Sequence, residues 1–194
     1  MIPRILHRTL PAQPPELMVR CWDTVLANTD GWQHRTYQSP RDPADFPLTG
    51  HLWHLCRDNG QQADFVRLEV LYREGGVYLD ADVELLRPLD RLLGLEAFAC
   101  YEDAVWLGNA VVGAVPGHPA LLDAIDFLER WVRTTPPPSG PKALTEAWKG
   151  RQDVTLLPQH TFYPYLYNEM HRAGEDFSVN PETLGVHHWA RTWK

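Results

Sequence analysis

The sequence predicts an α/β fold, and three observations carry that expectation. The chain opens on a short apolar segment, "PRILHRTL", followed at once by an amphipathic stretch, "PPELMVRCWDTVLANTDG". A strand feeding a helix is the unit from which such folds are built. A second helical pattern, "QQADFVRLEVLYREGG", then runs through two glycines into the apolar "VYL". The 194 residues, 44% apolar and 22% charged, suffice for one domain, 1–194, with a sizeable core.

Element by element, the opening segment reads as a strand with His7 at or near its end. In the next stretch Leu17, Cys21, Val25 and Leu26 recur at helical spacing, Pro14 and Pro15 sit near the start, and Asn28 to Gly31 form a stop. "WQHRTYQ" reads as a second strand and "RDPADFPLTG" as a loop. In the following helix Phe65, Leu68, Leu71 and Tyr72 mark one face, with Gly75 a left-handed stop. Asp64 projects almost in line with Leu71, beside Arg67 and Leu68, so a carboxylate and a guanidinium stand on or next to the inward face. Such a pair is commonly no more than an intrahelical salt bridge. Downstream, "EAFACYE", "WLGNAVVGAV" and "DVTLLP" read as strands, "HPALLDAIDFLERWVR" and "KALTEAWKG" as helices, and "TTPPPSGP" as a proline-stiffened loop.

Composition excludes several classes of function. With 18 basic against 25 acidic side chains, and no long basic cluster, nucleic acid is not an expected partner. No run approaches the roughly 18 apolar residues that would span a bilayer. The start "MIPRILHRTL" lacks a signal peptide's apolar region, so no transmembrane segment is expected, and the expected location is cytoplasmic or peripheral at the inner membrane face. Cys21, Cys56 and Cys100, odd in number and without a C-x-x-C, read as reduced, packed thiols.

The chemistry concentrates in "GGVYLDADVELL", where Asp80 and Asp82 stand one residue apart at the end of an apolar run. Two close carboxylates at a buried strand end repel each other and need a compensating charge. Alternation along an extended chain would point both to one side, with the small Ala81 leaving room for a bulky ligand. Beyond the carboxyl end of a central strand this suits a hard divalent cation such as Mg²⁺ or Mn²⁺, which completes its shell with substrate phosphates.

Taken together, "ADFVRLEVLYREGGVYLDADVELLRPLD" resembles the signature of the DXD-motif sugar transferases, a glycosyltransferase family 32-like group. That group includes yeast initiating mannosyltransferases and bacterial capsular polysaccharide glycosyltransferases. "IPRILHRTL" is similar to the family's opening strand, "SGPKALT" to its S/T-G-P segment and "VHHWARTW" to its closing H-x-W, so the likeness spans nearly the whole chain. The resemblance implies a GT-A fold, a single Rossmann-like α/β/α domain with a mostly parallel central sheet. It also implies retaining transfer from a nucleotide-sugar donor, a UDP-sugar by preference, to a glycan, lipid-linked or small-molecule acceptor in polysaccharide biosynthesis.

Carried over residue by residue, Asp64 and Arg67 would hold the donor's sugar and diphosphate. Asp80 would contact the donor and the metal, Asp82 would bind the metal, and His187 would complete its shell. Thr192 and Trp193 would lie near the diphosphate, His7 would line the base pocket, and Gly76, Tyr78 and Asn109 would touch the donor. Asp80 and Asp82 are thus the catalytic pair. Arg8 and Leu10 stand where many members carry glutamine and tryptophan. An imidazole ligand favours Mn²⁺ over Mg²⁺, because nitrogen is the softer donor. His187 and His188 are adjacent, and neighbours in an extended tail point opposite ways, so one of them faces the metal. Trp106 and Trp189 are candidates to face a ligand.

Two other readings compete. A haloacid-dehalogenase-like phosphatase also carries a strand-end D-x-D, but needs a downstream lysine, and here only Lys142, Lys149 and Lys194 are available. A catalytically inactive nucleotide-sugar-binding domain would keep the fold without turnover.

Overall fold

The computed structural model describes residues 1–134 and 140–190. Six strands form the central sheet: β1 (Ile5–Leu10), β2 (Gln33–Gln38), β3 (Gly76–Leu79), β5 (Ala97–Tyr101), β6 (Leu107–Ala114) and β7 (Thr155–Leu157). Their order is β2-β1-β3-β6-β5-β7. β1 pairs parallel with β2 and β3, and β5 parallel with β7, while β6 runs antiparallel to both neighbours. The sheet is therefore mostly parallel with one reversed strand, which the sequence pattern does not announce. The reversal is local: the chain leaving β5 turns over residues 102–106 and re-enters beside it, with the Glu102 N–H donating to the Trp106 carbonyl at 2.9 Å.

Alternation sorts the side chains into two cores. Tyr78, Ala97, Ala99 and Val112 face the layer of α2 (Asn59–Glu74), α3 (Pro119–Val132) and α4 (Gly140–Trp148). Val77, Leu79, Phe98 and Val111 face Val25 of α1 (Glu16–Asn28) and the C-terminal segment's Phe162 and Leu184. On that second side lies a small antiparallel sheet, β4 (Val83–Leu85) with β8 (Gly185–His187), in the register Val83↔His187.

Some expectations shift. His7 is third in the six-residue β1 rather than at its end. The buried face of α1 is Met18, Cys21 and Val25, whereas Leu26 is exposed. The helix α2 is buried on nearly all sides, because α3 and the sheet both pack on it, so its polar Arg67 and Glu69 lie inside with the apolar residues. Cys21 and Cys100 are buried free thiols and Cys56 is half-buried. Among the described residues no helix is long and apolar enough to cross a membrane.

The double glycine decides how α2 meets the sheet. Gly75 has φ +66° and Gly76 φ +104°, values that disfavour any side chain. A Cβ on Gly75 would come within 2.6 Å of the Pro116 ring, and one on Gly76 would strike the Ile5 carbonyl. This tight reversal lays α2 back along β3. Counting back from it, Asp64 and Arg67 lie roughly 12 to 17 Å up the helix at about 1.5 Å per residue. Counting forward, Asp80 lies roughly 13 to 16 Å along the strand at about 3.3 Å per residue. The helix pair and the strand-end carboxylate therefore arrive at the same height.

Candidate active site

Beyond the carboxyl end of β3 the predicted residues converge. The Arg67 guanidinium is 3.3 Å from Asp64 Oδ1 and 3.2 Å from Asp80 Oδ1, donates to the Asn109 carbonyl, and lies 4.6 Å over the Tyr78 ring. The Asn109 carboxamide donates to Asp64 Oδ1 at 2.7 Å, and the Gly140 N–H, opening α4, donates to Asp64 Oδ2 at 3.0 Å. A buried guanidinium with two carboxylates and an aromatic face around it is compensated on every side. Burial works against its charge, but Asp80, Tyr78 and Asp64 outweigh that and hold its pKa above the usual value. Burial pushes the Asp64 carboxyl up to about 6 against the pull of Arg67, with Asp80 adding to the rise. These groups line a cleft of about 340 Å³ together with Arg57, Asp58 and Gln61.

The D-x-D itself is a turn, not an extended strand: the Val83 N–H donates to the Asp80 carbonyl at 3.0 Å. The two carboxylates come together through that turn rather than by strand alternation. Ala81 leaves no room for a ligand, since it is buried against Leu10 and Met18.

The pairing of β4 with β8 brings His187 alongside, and ligand atoms of Asp80, Asp82 and His187 all lie within 4.8 Å of one another. His187 Nε2 is 3.4 Å from Asp82 Oδ1, while Asp82 Oδ2 accepts from the Ala190 N–H at 2.7 Å. Burial opposes both charges. The imidazole nevertheless holds Asp82 down to about 2, and Asp82 in turn raises the His187 pKa. His187 Nδ1 is buried without a hydrogen-bond partner. His188 points away, its Nε2 at 2.9 Å from Glu84 and its Nδ1 at 3.3 Å from the Tyr165 hydroxyl.

Two oxygens and one imidazole nitrogen, one carboxylate oxygen left facing the ring and one ring nitrogen left over, form a donor set that fits a divalent cation of the Mn²⁺ type.

Three of the residues expected at the donor do not line the cleft of Asp64 and Arg67. His7 is fully buried, its Nε2–H donating to the Gly75 carbonyl at 2.9 Å and its Nδ1 accepting from Tyr37 at 3.1 Å, so it braces the glycine turn instead of lining a base pocket. Gly76 is buried at the far end of β3 from Asp80. Tyr78 is fully buried beneath the site, where its hydroxyl donates to Asp80 Oδ1 at 3.0 Å and takes a hydrogen bond from Thr9 at 2.6 Å. It positions Asp80 and Arg67 rather than touching a donor. Thr192 and Trp193 lie outside the described residues.

Gly140 and Ala190 are additions. At Gly140 a Cβ would collide with Asn109 and Asp64, and the only sequence signal was its place in "SGP". Ala190 acts through its backbone, which leaves no trace in side-chain type.

This arrangement, a mostly parallel sheet with the acidic turn at its carboxyl edge and helices on both faces, defines a GT-A fold. The structure of the apo-form glycosyltransferase GlyE from Streptococcus pneumoniae TIGR4 superposes with TM-score 0.63 at 11% identity, covering 98% of this chain and 55% of that one. Residues 23–99 match the model of the family described as a glycosyltransferase sugar-binding region containing a DXD motif, so this segment is similar to that family.

The inositol phosphoceramide mannosyltransferase 3 of Schizosaccharomyces pombe is 28% identical over 97% of this chain and 60% of its own length. The mannosyl phosphorylinositol ceramide synthase SUR1 of Saccharomyces cerevisiae is 34% identical over 77% of this chain and 42% of its own. The chain thus spans about half the length of these relatives.

Proposed function

We propose that this chain is a metal-dependent, retaining glycosyltransferase. It moves a hexosyl group from a nucleoside-diphosphate sugar to a glycan, lipid-linked or small-molecule acceptor. One observation carries the reading: the cluster Asp80–Asp82–His187 opens beside the cleft of Asp64, Arg67 and Asn109 at the carboxyl edge of the sheet.

Asp64 and Asn109 offer acceptors and donors to sugar hydroxyls, and Arg67 offers a fixed positive charge beside the anomeric phosphate. Asp80, Asp82 and His187 would hold Mn²⁺ or Mg²⁺, which supplies charge neutralisation to the leaving diphosphate, a contribution on the order of several kcal/mol. The bond between the anomeric carbon and the phosphate oxygen breaks with its electron pair on oxygen. The acceptor hydroxyl oxygen forms the new bond, and its proton passes to the leaving phosphate. No general-acid carboxylate is required for such a leaving group. The acidic turn and buried arginine suit a UDP-sugar and a GDP-sugar alike, so the base is left to measurement, with UDP the first candidate.

Calorimetric titration of the chain with UDP, GDP and other nucleoside diphosphates, each with Mn²⁺, Mg²⁺ or EDTA, tests the reading. Binding of one diphosphate that EDTA abolishes is expected, together with slow splitting of the matching sugar nucleotide onto water. Binding without any splitting would identify an inactive binding domain, and no binding under any condition would overturn the donor site altogether.

A further inference from the structure

A second cleft, of about 440 Å³, lies beyond Trp189 and has no part in the donor site. It is lined by Glu102, Asp103, Leu166, Tyr167, Asn168 and Trp189. Its position follows from topology. β5 runs in the same direction as β3, since β6 is antiparallel to both, so Glu102 just past β5 opens at the same edge of the sheet as Asp80 just past β3. Trp189 joins the two regions, with its ring centroid 4.4 Å from that of His187 and its other neighbours Tyr163 at 5.6 Å and Tyr167 at 6.0 Å.

This wall is held in place at a cost. Trp189 is the one described non-glycine residue with positive φ, at 56°, and its indole N–H donates to the Tyr165 carbonyl at 3.3 Å. Strained backbone of this kind persists where the surroundings over-determine it, and such residues cluster at ligand sites. The opposite wall is pinned as well, with Asp103 Oδ1 accepting from the N–H groups of Val105 and Trp106, both at 2.7 Å. The Glu102 carboxylate and the Asn168 carboxamide make no hydrogen bond to other described residues. An aromatic flank beside a carboxylate and a carboxamide is the chemistry that receives a polyol ring, its C–H face on the indole and its hydroxyls on the polar groups. With no lysine or arginine in the lining, the cleft offers a phosphate no counter-charge.

We propose that this cleft is the acceptor subsite, taking an uncharged six-membered polyol ring, a pyranoside or cyclitol, whose reacting hydroxyl points past Trp189 toward the donor cleft. The name acceptor rests on the transferase reading, but ring binding can be measured without it.

The test is a titration of the chain with methyl mannopyranoside, methyl galactopyranoside and myo-inositol, read by indole ¹⁵N–¹H resonances. The Trp189 signal is assigned by its loss in Trp189→Phe. At least one probe is expected to move that signal, and the apparent Kd is expected to rise about fivefold or more in Asn168→Ala and in Glu102→Ala. Asn168 is exposed and outside the core, so its variant should fold even if that of Glu102 does not. A phosphorylated myo-inositol is expected to bind about tenfold more weakly than the parent ring.

A Trp189 signal that no probe moves, or a shift that both variants leave unchanged, overturns the subsite while nucleoside diphosphate binding still stands. Ring binding in a chain that binds no nucleoside diphosphate with any metal overturns the donor reading, and the name acceptor with it.

Discussion

The two halves of the site are assembled in opposite ways. Asp64, Arg67 and Asp80 come from one helix and the strand it feeds, 13 to 16 residues apart at most, and every charge among them is already answered within the protein. Asp82 meets groups 105 to 108 residues away, through a ladder of three residues per strand, and leaves His187 Nδ1 without a partner. The first half is a finished structural clamp that also lines the proposed donor cleft. The second is held together loosely and has coordination capacity to spare. The difference teaches where an ion would bind under the proposed function: at the half that the chain leaves incomplete.

The largest effect should come from breaking the finished half. Arg67→Met leaves two carboxylates facing each other without their cation. A cost of about 3 to 5 kcal/mol is expected from removing one partner of a buried ionic network. Urea unfolding should show the midpoint falling accordingly, and a loss below about 1 kcal/mol would mean that the network is solvated and no clamp at all.

Asp82→Asn strikes the other half and should behave differently. The amide keeps an oxygen for the Ala190 N–H, so the fold should survive, whereas metal-dependent nucleotide affinity should fall by about a hundredfold or more, near 2.7 kcal/mol. Unfolding together with loss of binding would erase the contrast between the halves. Unchanged binding would remove Asp82 from the ion's shell.

Much of the first half was legible in the sequence because its determinants are local. The i, i+3 spacing of Asp64 and Arg67, the two glycines and the apolar "VYL" are read within one window, and simple rise arithmetic brings them together. The antiparallel β6 was not legible, since an apolar strand carries no mark of direction. Nor were the burial of His7 and Tyr78, whose polar atoms are satisfied by Gly75, Tyr37, Thr9 and Asp80 at long range. His187 was named from family likeness, and what places it is the pairing of β4 with β8, too short to read from three residues. The carboxylates of the D-x-D were expected to meet by strand alternation and meet by a turn, because the Asp80 carbonyl closes on the Val83 N–H instead of continuing the ladder.

Acidity offers a gentler probe of the finished half. Asp64, raised from 3.8 to about 6, keeps its proton in the folded chain over a range in which the unfolded chain has released it. Its contribution to metal-free stability is therefore full below about pH 4, falls as pH rises to about 6, and is flat above. A carboxyl-carbon NMR titration should find Asp64 changing near pH 6. In Asn109→Ala, which removes the 2.7 Å donor to its ionised form, the midpoint should move higher still. A midpoint in the ordinary aspartate range would show Asp64 to be well solvated and the clamp open to water.

The smallest effect separates the neighbours His187 and His188. His187→Ala should weaken Mn²⁺ binding by about tenfold or more, because an imidazole donor is lost from the ion's shell. His188→Ala should leave Mn²⁺ affinity within about twofold and cost about 1 kcal/mol, the scale of one partly buried hydrogen bond to Glu84. The logic is that of the strand: successive residues leaving β8 point to opposite sides, so the backbone that turns His187 to Asp82 must turn His188 to Glu84. If the two variants lost metal affinity equally, the tail would have to rearrange when it binds an ion. The incomplete half of the site would then be assembled by its ligand rather than by the β4–β8 ladder.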